Sequence, residues 1–260
     1  MSNVNQEQVH KEVKDRYARI AESFQPQTSA SCCGDDPASS CCDNVTLYDA
    51  DTSWLPEDVT GLSLGCGDPI TLAELKPGQT VLDLGSGGGI DCFMAARQVG
   101  ATGLVIGIDM TPAMINKAER NMAKVGLLNV DFRLGRIEDM PVASESIDVI
   151  ISNCVINLSP DKPAVFREAF RVLKPGGRLA VSDMVTQGRF SAQERADMEA
   201  WAGCITGAED IADYVAAIRE AGFEEISVRD KGNPDVELAD SLSLDDPARL
   251  FSARVTAVKP

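Results

Sequence analysis

The chain has 260 residues, 44% of them hydrophobic, with 21 Gly and 13 Pro. That suffices for one substantial core, or a core plus a modest second lobe, and excludes a disulfide-stapled miniprotein, a collagen-like fibre and a fully disordered tail. A net charge of −16, from 40 acidic and 24 basic residues, repels phosphate backbones and anionic lipid, so neither nucleic acid nor a membrane surface is expected as a partner.

The first twenty residues are polar and charged, with no apolar signal-peptide core, and no apolar run reaches the ~18 residues of a membrane span. A soluble, cytoplasmic protein is expected. Its single histidine, His10, lies in this polar stretch, which argues against histidine acid–base chemistry and a His-rich metal site. Apolar side chains at Val9, Val13, Tyr17, Ile20 and Phe24 predict an amphipathic helix over 5–23 that packs on the main domain. The next stretch, QPQTSASCCGDDPASSCCDN, has almost nothing to bury and reads as a mobile linker.

From Thr80 the pattern changes. Short apolar runs TVLDLG, GLVIGID, NVDFRLG, IDVIISN and GRLAVSD alternate with helical stretches at 90–99, 111–125 and 162–173. This predicts an α/β fold, a doubly wound and mostly parallel sheet covered on both faces. Lys174-Pro175-Gly176-Gly177 reads as a sharp helix stop and a turn into the fifth strand. Two further helical stretches, 191–203 and 209–221, precede a strand-like FSARVTAV near the end.

The loop Asp83-Leu84-Gly85-Ser86-Gly87-Gly88-Gly89 follows the first strand and opens a helix, where glycines let the backbone turn tightly and approach a ligand. Asp109, closing the next strand, can accept hydrogen bonds from both hydroxyls of a ribose. The glycine spacing departs from the dinucleotide G-x-G-x-x-G, because Ile90 stands at its last position. What is present, D-x-G-x-G-x-G, resembles the class I (Rossmann-like) S-adenosylmethionine methyltransferases. That resemblance implies a cofactor site made by Asp83, Gly85, Ser86, Gly87, Gly89, Asp109 and Met110. It also implies Ile137 and Glu138, from the Gly135–Asp139 turn where such enzymes contact the adenine. Asp83 would act near the cofactor's amino-acid end indirectly, or simply cap the loop.

Eight cysteines are many for an intracellular chain, where structural disulfides are disfavoured and thiols more often serve as ligands or redox groups. SLGCGDP (63–69), GIDMT (107–111), SNCVINLSPDK (152–162) and Cys204 together resemble the arsenite S-adenosylmethionine methyltransferases, over about residues 9–258. The resemblance implies that Cys66, Cys154 and Cys204 bind arsenic(III), and that an N-terminal cysteine joins them in redox cycling. Cys33, or its neighbour Cys32, is preferred to Cys41 or Cys42 as that catalytic cysteine because the first pair lies nearer the helix. Thioredoxin or glutathione would reopen the resulting disulfide. Cys66 is expected on an exposed loop, and Cys92 is read as packing.

The chemistry agrees with the resemblance. Arsenic(III) is soft and thiophilic, and three thiolates leave its lone pair free to attack a sulfonium methyl without any general base. The C-C-x7-C-C pairs lack a zinc knuckle, and Asp35, Asp36 and Asp43 beside them would raise thiol pKa values. The expected organisation is an N-terminal helix and Cys-rich segment (1–65), a cofactor-binding Rossmann-like domain (66–186), and a smaller C-terminal lobe (187–260) completing the arsenic site. The expected substrate is arsenite or its thiol conjugate. The alternatives are a methyltransferase for a small organic acceptor, such as a quinone or sterol precursor, and a non-catalytic arsenic(III)-binding protein.

Overall fold

A computed structural model of the chain describes residues 5–24, 51–61, 65–240 and 249–260. The readings placed on Cys32, Cys33, Cys41 and Cys42 lie outside the described residues. In chain order the helices are α1 (Gln6–Ser23), α2 (Glu57–Thr60), α3 (Pro69–Ala73), α4 (Ile90–Val99), α5 (Pro112–Val125), α6 (Lys162–Val172), α7 (Ala192–Arg195), α8 (Met198–Ala202) and α9 (Ile211–Glu220). The strands are β1 (Thr80–Leu84), β2 (Leu104–Asp109), β3 (Val130–Leu134), β4 (Ile147–Asn153), β5 (Leu173–Gln187), β6 (Glu209–Asp210), β7 (Glu224–Asp230), β8 (Asn233–Glu237) and β9 (Arg249–Val258).

The strands form one sheet in the order β3-β2-β1-β4-β5-β9-β7-β8, with β6 alongside β5. β1 to β5 run parallel, and β9, β7 and β8 continue the sheet antiparallel. Side chains alternate across a strand, which divides the apolar runs between two cores. Val81, Val105, Val149 and Ile151 face α3 and α4 through Ile70, Phe93 and Val99. Leu82, Leu84, Ile106 and Ile150 face the opposite way, in the same core as Phe166 and Val172 of α6 and Tyr214 and Ile218 of α9. A sheet buried on both faces needs apolar residues at nearly every position, which is why IDVIISN reads as a continuous run.

Helix ends follow local chemistry. The Asn5 side chain accepts from the N–H groups of Glu7 and Gln8 and so starts α1. The expected helix over 191–203 is two short helices, because Asp197 accepts from Glu199 and Ala200 N–H and begins a new one. Lys174–Gly177 is also not a free turn. Gly176 N–H bonds to Lys259 O (2.8 Å) and Lys259 N–H to Gly177 O (2.9 Å), so this stretch is an irregular entry into β5, which already begins at Leu173.

The residues expected as a C-terminal lobe divide in two. β9 inserts between β5 and β7 and pairs with β5 from Arg178 to Gln187. α7 and α8 lie outside the sheet, where Trp201 and Ala202 pack with Val9 and Val13 of α1 and with Leu158.

Phe166 is fully buried and meets Tyr214 edge-on, with ring centroids 5.1 Å apart. Phe166→Ala should lower unfolding free energy by about 3–5 kcal/mol, read as a lower urea midpoint at unchanged slope.

Candidate active site

β1 lies between β2 and β4, so the connections on its two sides diverge and open a crevice at the carboxyl ends of the strands. The loop after β1 turns there. Gly85 has φ +72°, and a Cβ on it would fall 2.4 Å from Val155; Gly87 has φ +50° with open space around it. Only glycine takes both conformations without strain and leaves the backbone bare. Asp109 pins the loop: its carboxylate accepts from Gly87 N–H (3.0 Å) and Thr111 N–H (2.8 Å). Burial pushes the Asp109 pKa up, and these donors pull it part of the way back.

Over this loop lies a cleft of about 910 Å³, its open mouth included, lined by Gly85, Ser86, Gly87, Asp109, Met110, Ile137 and Glu138 among others. Asp83 and Gly89 do not line it. Asp83 is buried beneath the loop and accepts a hydrogen bond from the Cys92 thiol (3.1 Å). Burial, then the charge of Asp91, pushes its pKa well up. Cys92 is thus more than packing, since its S–H satisfies a buried carboxyl. Gly89 is the cap of α4, with φ +94°, and its N–H closes the turn onto Ser86 O (2.8 Å).

Sequence reasoning missed several walls of the cleft. His10, Val13 and Tyr17 reach it from α1, and Asp91, Asn153 and Ser159 from the sheet side. His10 is therefore not a stray polar residue: its Nε2 lies 3.0 Å from Glu138 Oε1, which also accepts from Ser159 Oγ. Burial would raise the Glu138 pKa, but the His10 and Ser159 hydrogen bonds outweigh it and hold the pKa low. The one-face spacing of His10, Val13 and Tyr17 was visible, but not what that face covers.

A second cleft adjoins the first. It is lined by Cys66, Cys154 and Cys204 with Arg16, Tyr17, Ile20 and Met184, and Cys154 and Tyr17 belong to both clefts. The three predicted cysteines thus come together from the loop before α3, the end of β4 and the loop after α8. The Cys66 loop is half-buried rather than exposed. Cys66 and Cys154 are joined in a disulfide, with Cα atoms 5.8 Å apart, leaving Cys204 as the free thiol of the three. Among the described residues no group of three His, Cys, Asp or Glu side chains is disposed to hold a metal ion.

Cys154 (φ +58°) and Cys204 (φ +62°) both sit in left-handed backbone that costs a non-glycine residue of order 1 kcal/mol. Such conformations persist where surrounding contacts impose them. Here Cys154 N–H bonds to Ser182 O (2.8 Å) and Cys204 N–H to Trp201 O (3.0 Å). The Cys204 sulfur lies 3.9 Å from the Tyr17 hydroxyl. Beneath it Asp183 accepts from Asn157 N–H (2.9 Å) and the Tyr214 hydroxyl (3.1 Å), and burial raises its pKa to about 6. Burial, then the charge of Asp183, raises the Cys204 thiol to about 11.

Cys204 is accordingly protonated at neutral pH, and its alkylation rate should rise with pH through an inflection near 11. Peptide-resolved mass spectrometry after brief iodoacetamide treatment reads this, and an inflection near the ordinary ~8.5 would contradict the burial. Gly85→Val should weaken S-adenosylhomocysteine binding at least roughly 100-fold by calorimetry, because the side chain collides with Val155 and cannot adopt the left-handed turn.

A methyltransferase-domain family model matches residues 75–224. The chain is 44% identical to an arsenite methyltransferase of Halobacterium salinarum, over 98% of this chain and 67% of that protein. It is 36% identical to the mouse arsenite methyltransferase, over 84% of this chain and 58% of that one. The chain thus spans about two thirds or less of the length of these relatives. The crystal structure of an arsenic(III) S-adenosylmethionine methyltransferase from Chlamydomonas reinhardtii superposes with a TM-score of 0.65 at 36% identity, covering 78% of this chain and 70% of that one. With a glycine-loop cleft at the strand ends, three cysteines gathered beside it and these likenesses along nearly its whole length, the chain belongs to the arsenite methyltransferase family.

Proposed function

We propose that the protein transfers a methyl group from S-adenosylmethionine to arsenic(III) held by Cys66, Cys154 and Cys204. One observation carries the reading: Cys154 and Tyr17 are walls common to the glycine-loop cleft and the three-cysteine cleft, so a substrate on the cysteines borders the cofactor site. The donor set of the first cleft fits the cofactor. The Asp109 carboxylate suits ribose hydroxyls, Ile137 an adenine face, and the bare backbone at Gly85 and Gly87 a close approach. Ser86 Oγ and His10 Nδ1, both lining this cleft, are buried with no hydrogen-bond partner and suit the polar edges of such a ligand. When bound, S-adenosylmethionine supplies an electrophilic sulfonium methyl.

The chain's own residues do the rest. Each thiol that displaces hydroxide from arsenic(III) sends its proton out with that hydroxide as water, so a protonated Cys204 is competent and no base is required. Three sulfurs satisfy the soft centre and leave its lone pair as the nucleophile. α1 lines both clefts, and holding the two partners in register is the main catalytic contribution. Methylation leaves arsenic(V), and two thiolates closing to a disulfide return two electrons to it. The bonded Cys66–Cys154 pair supports those sulfurs as electron donors, with a thiol reductant such as thioredoxin or glutathione reopening the bridge. An N-terminal cysteine, Cys33 or Cys32, would relay that exchange. No helix among the described residues is long and apolar enough to cross a membrane.

Purified protein with arsenite, S-adenosylmethionine and a thiol reductant should yield methylated arsenicals that require all three, read by arsenic speciation. Cys154→Ser should abolish them, and Cys92→Ser should retain methylation. Methyl transfer to an organic acceptor with none to arsenic, or tight arsenite binding without cofactor binding, would overturn the reading.

A further inference from the structure

Asn153, the residue before Cys154, has a side chain that works on a different part of the chain. Its Oδ1 accepts from the N–H of Cys66 (2.9 Å) and of Gly67 (3.2 Å). Its Nδ2 donates to Gly67 O (2.9 Å) and to Asp91 Oδ2 (3.3 Å). That uses both acceptor and both donor positions of a carboxamide. Gly65 is shaped to this contact, since a Cβ on it would lie 2.3 Å from the Asn153 carboxamide; Gly67 is packed as closely on β5, where a Cβ would lie 1.9 Å from Ser182 Oγ. The far side of the loop is held as well, since Cys66 O accepts from Lys231 Nζ (3.1 Å) and Ser252 Oγ (3.3 Å).

We propose that Asn153 is a positioning residue that clamps the Cys66 loop over Cys154, and so sets how readily the two sulfurs meet, whether across a shared arsenic or in a bridge. One dipeptide then carries both a reacting thiol and the clamp that presents its partner. The clamp stands on these contacts alone, while its use in catalysis rests on the proposed arsenic site.

The test separates the two. The full chain and its Asn153→Ala variant are equilibrated with reduced and oxidised dithiothreitol, without arsenic. Closing the bridge passes two protons and two electrons from the Cys66 and Cys154 thiols to oxidised dithiothreitol, which becomes the dithiol, and peptide mapping counts the bridge. The bridging constant should fall about 3- to 10-fold in Asn153→Ala, the size expected when a net hydrogen bond is lost from one state. This is a shift of about 30 mV per tenfold. Asn153→Asp beside Asp91→Asn, which keeps an acceptor facing Cys66 and Gly67 without pairing two carboxylates, should recover most of it. Asn153→Ser is read in the same way should alanine fail to fold. A bridging constant unchanged in these single variants, or lowered thermal stability with no change in bridging, would overturn the proposal. Arsenite titration of the reduced proteins then follows. Weaker binding in Asn153→Ala supports the clamp acting on the arsenic site, and unchanged binding beside altered bridging upholds the clamp while removing Cys66 from that site.

Discussion

Parallel strands bring their carboxyl ends to one edge of a sheet, and the glycine-loop cleft of this protein and Cys154 hang on that edge. β1 has β2 on one side and β4 on the other, so the chain leaves β1 beside a crevice that helices cannot fill. The glycine loop after β1, Asp109 as the last residue of β2, the Gly135–Glu138 turn after β3 and Cys154 after β4 all lie at strand ends. They need no common sequence signal to meet, because the sheet register delivers them. Asp109 then ties two strand ends together through the Gly87 N–H.

Two additions to that sheet make the site particular. α1 lies across both clefts, with His10 on Glu138 at one end and Tyr17 beside Cys204 at the other. The antiparallel strands β9 and β7 bring Ser252, and the turn after β7 brings Lys231, against the Cys66 carbonyl. The third cysteine arrives by a different route. Trp201 is buried between α1 and the turn after β4, its indole N–H bonded to Leu158 O, and this anchors the short helix that presents Cys204. Burial, and then the neighbouring Asp183, oppose ionisation of the Cys204 thiol that this helix presents.

Much of this was legible along the chain. The apolar runs gave β1 to β4 and β9 nearly to the residue, and the helical spacings gave α1, α4, α5, α6 and α9, because burial on two faces or along one stripe leaves a periodic imprint. The glycine loop and its acidic partner were readable for the same reason: positive φ and close approach demand glycine, and the demand is local. Less was readable where two distant segments had to meet. For Asp83 the sequence suggested an indirect role or a cap of the loop, and did not show that Cys92 is its partner; the run 191–203 looked like one helix and is two; Gly176 and Gly177 looked like a turn and pair with Lys259.

By itself, then, the sequence determined the parallel strands, their helical cover and the glycine loop, since each of these follows from composition and spacing within a few residues, while the choice of three cysteines among eight came from the family resemblance. The tertiary structure alone decided that Cys66, Cys154 and Cys204 share one cleft, that two of them are bonded, and that the single histidine faces the other cleft from α1. Those facts depend on contacts between residues far apart in the chain, such as Asn153 with Cys66 and His10 with Glu138, and no local pattern records which side chain a folded backbone will bring opposite another.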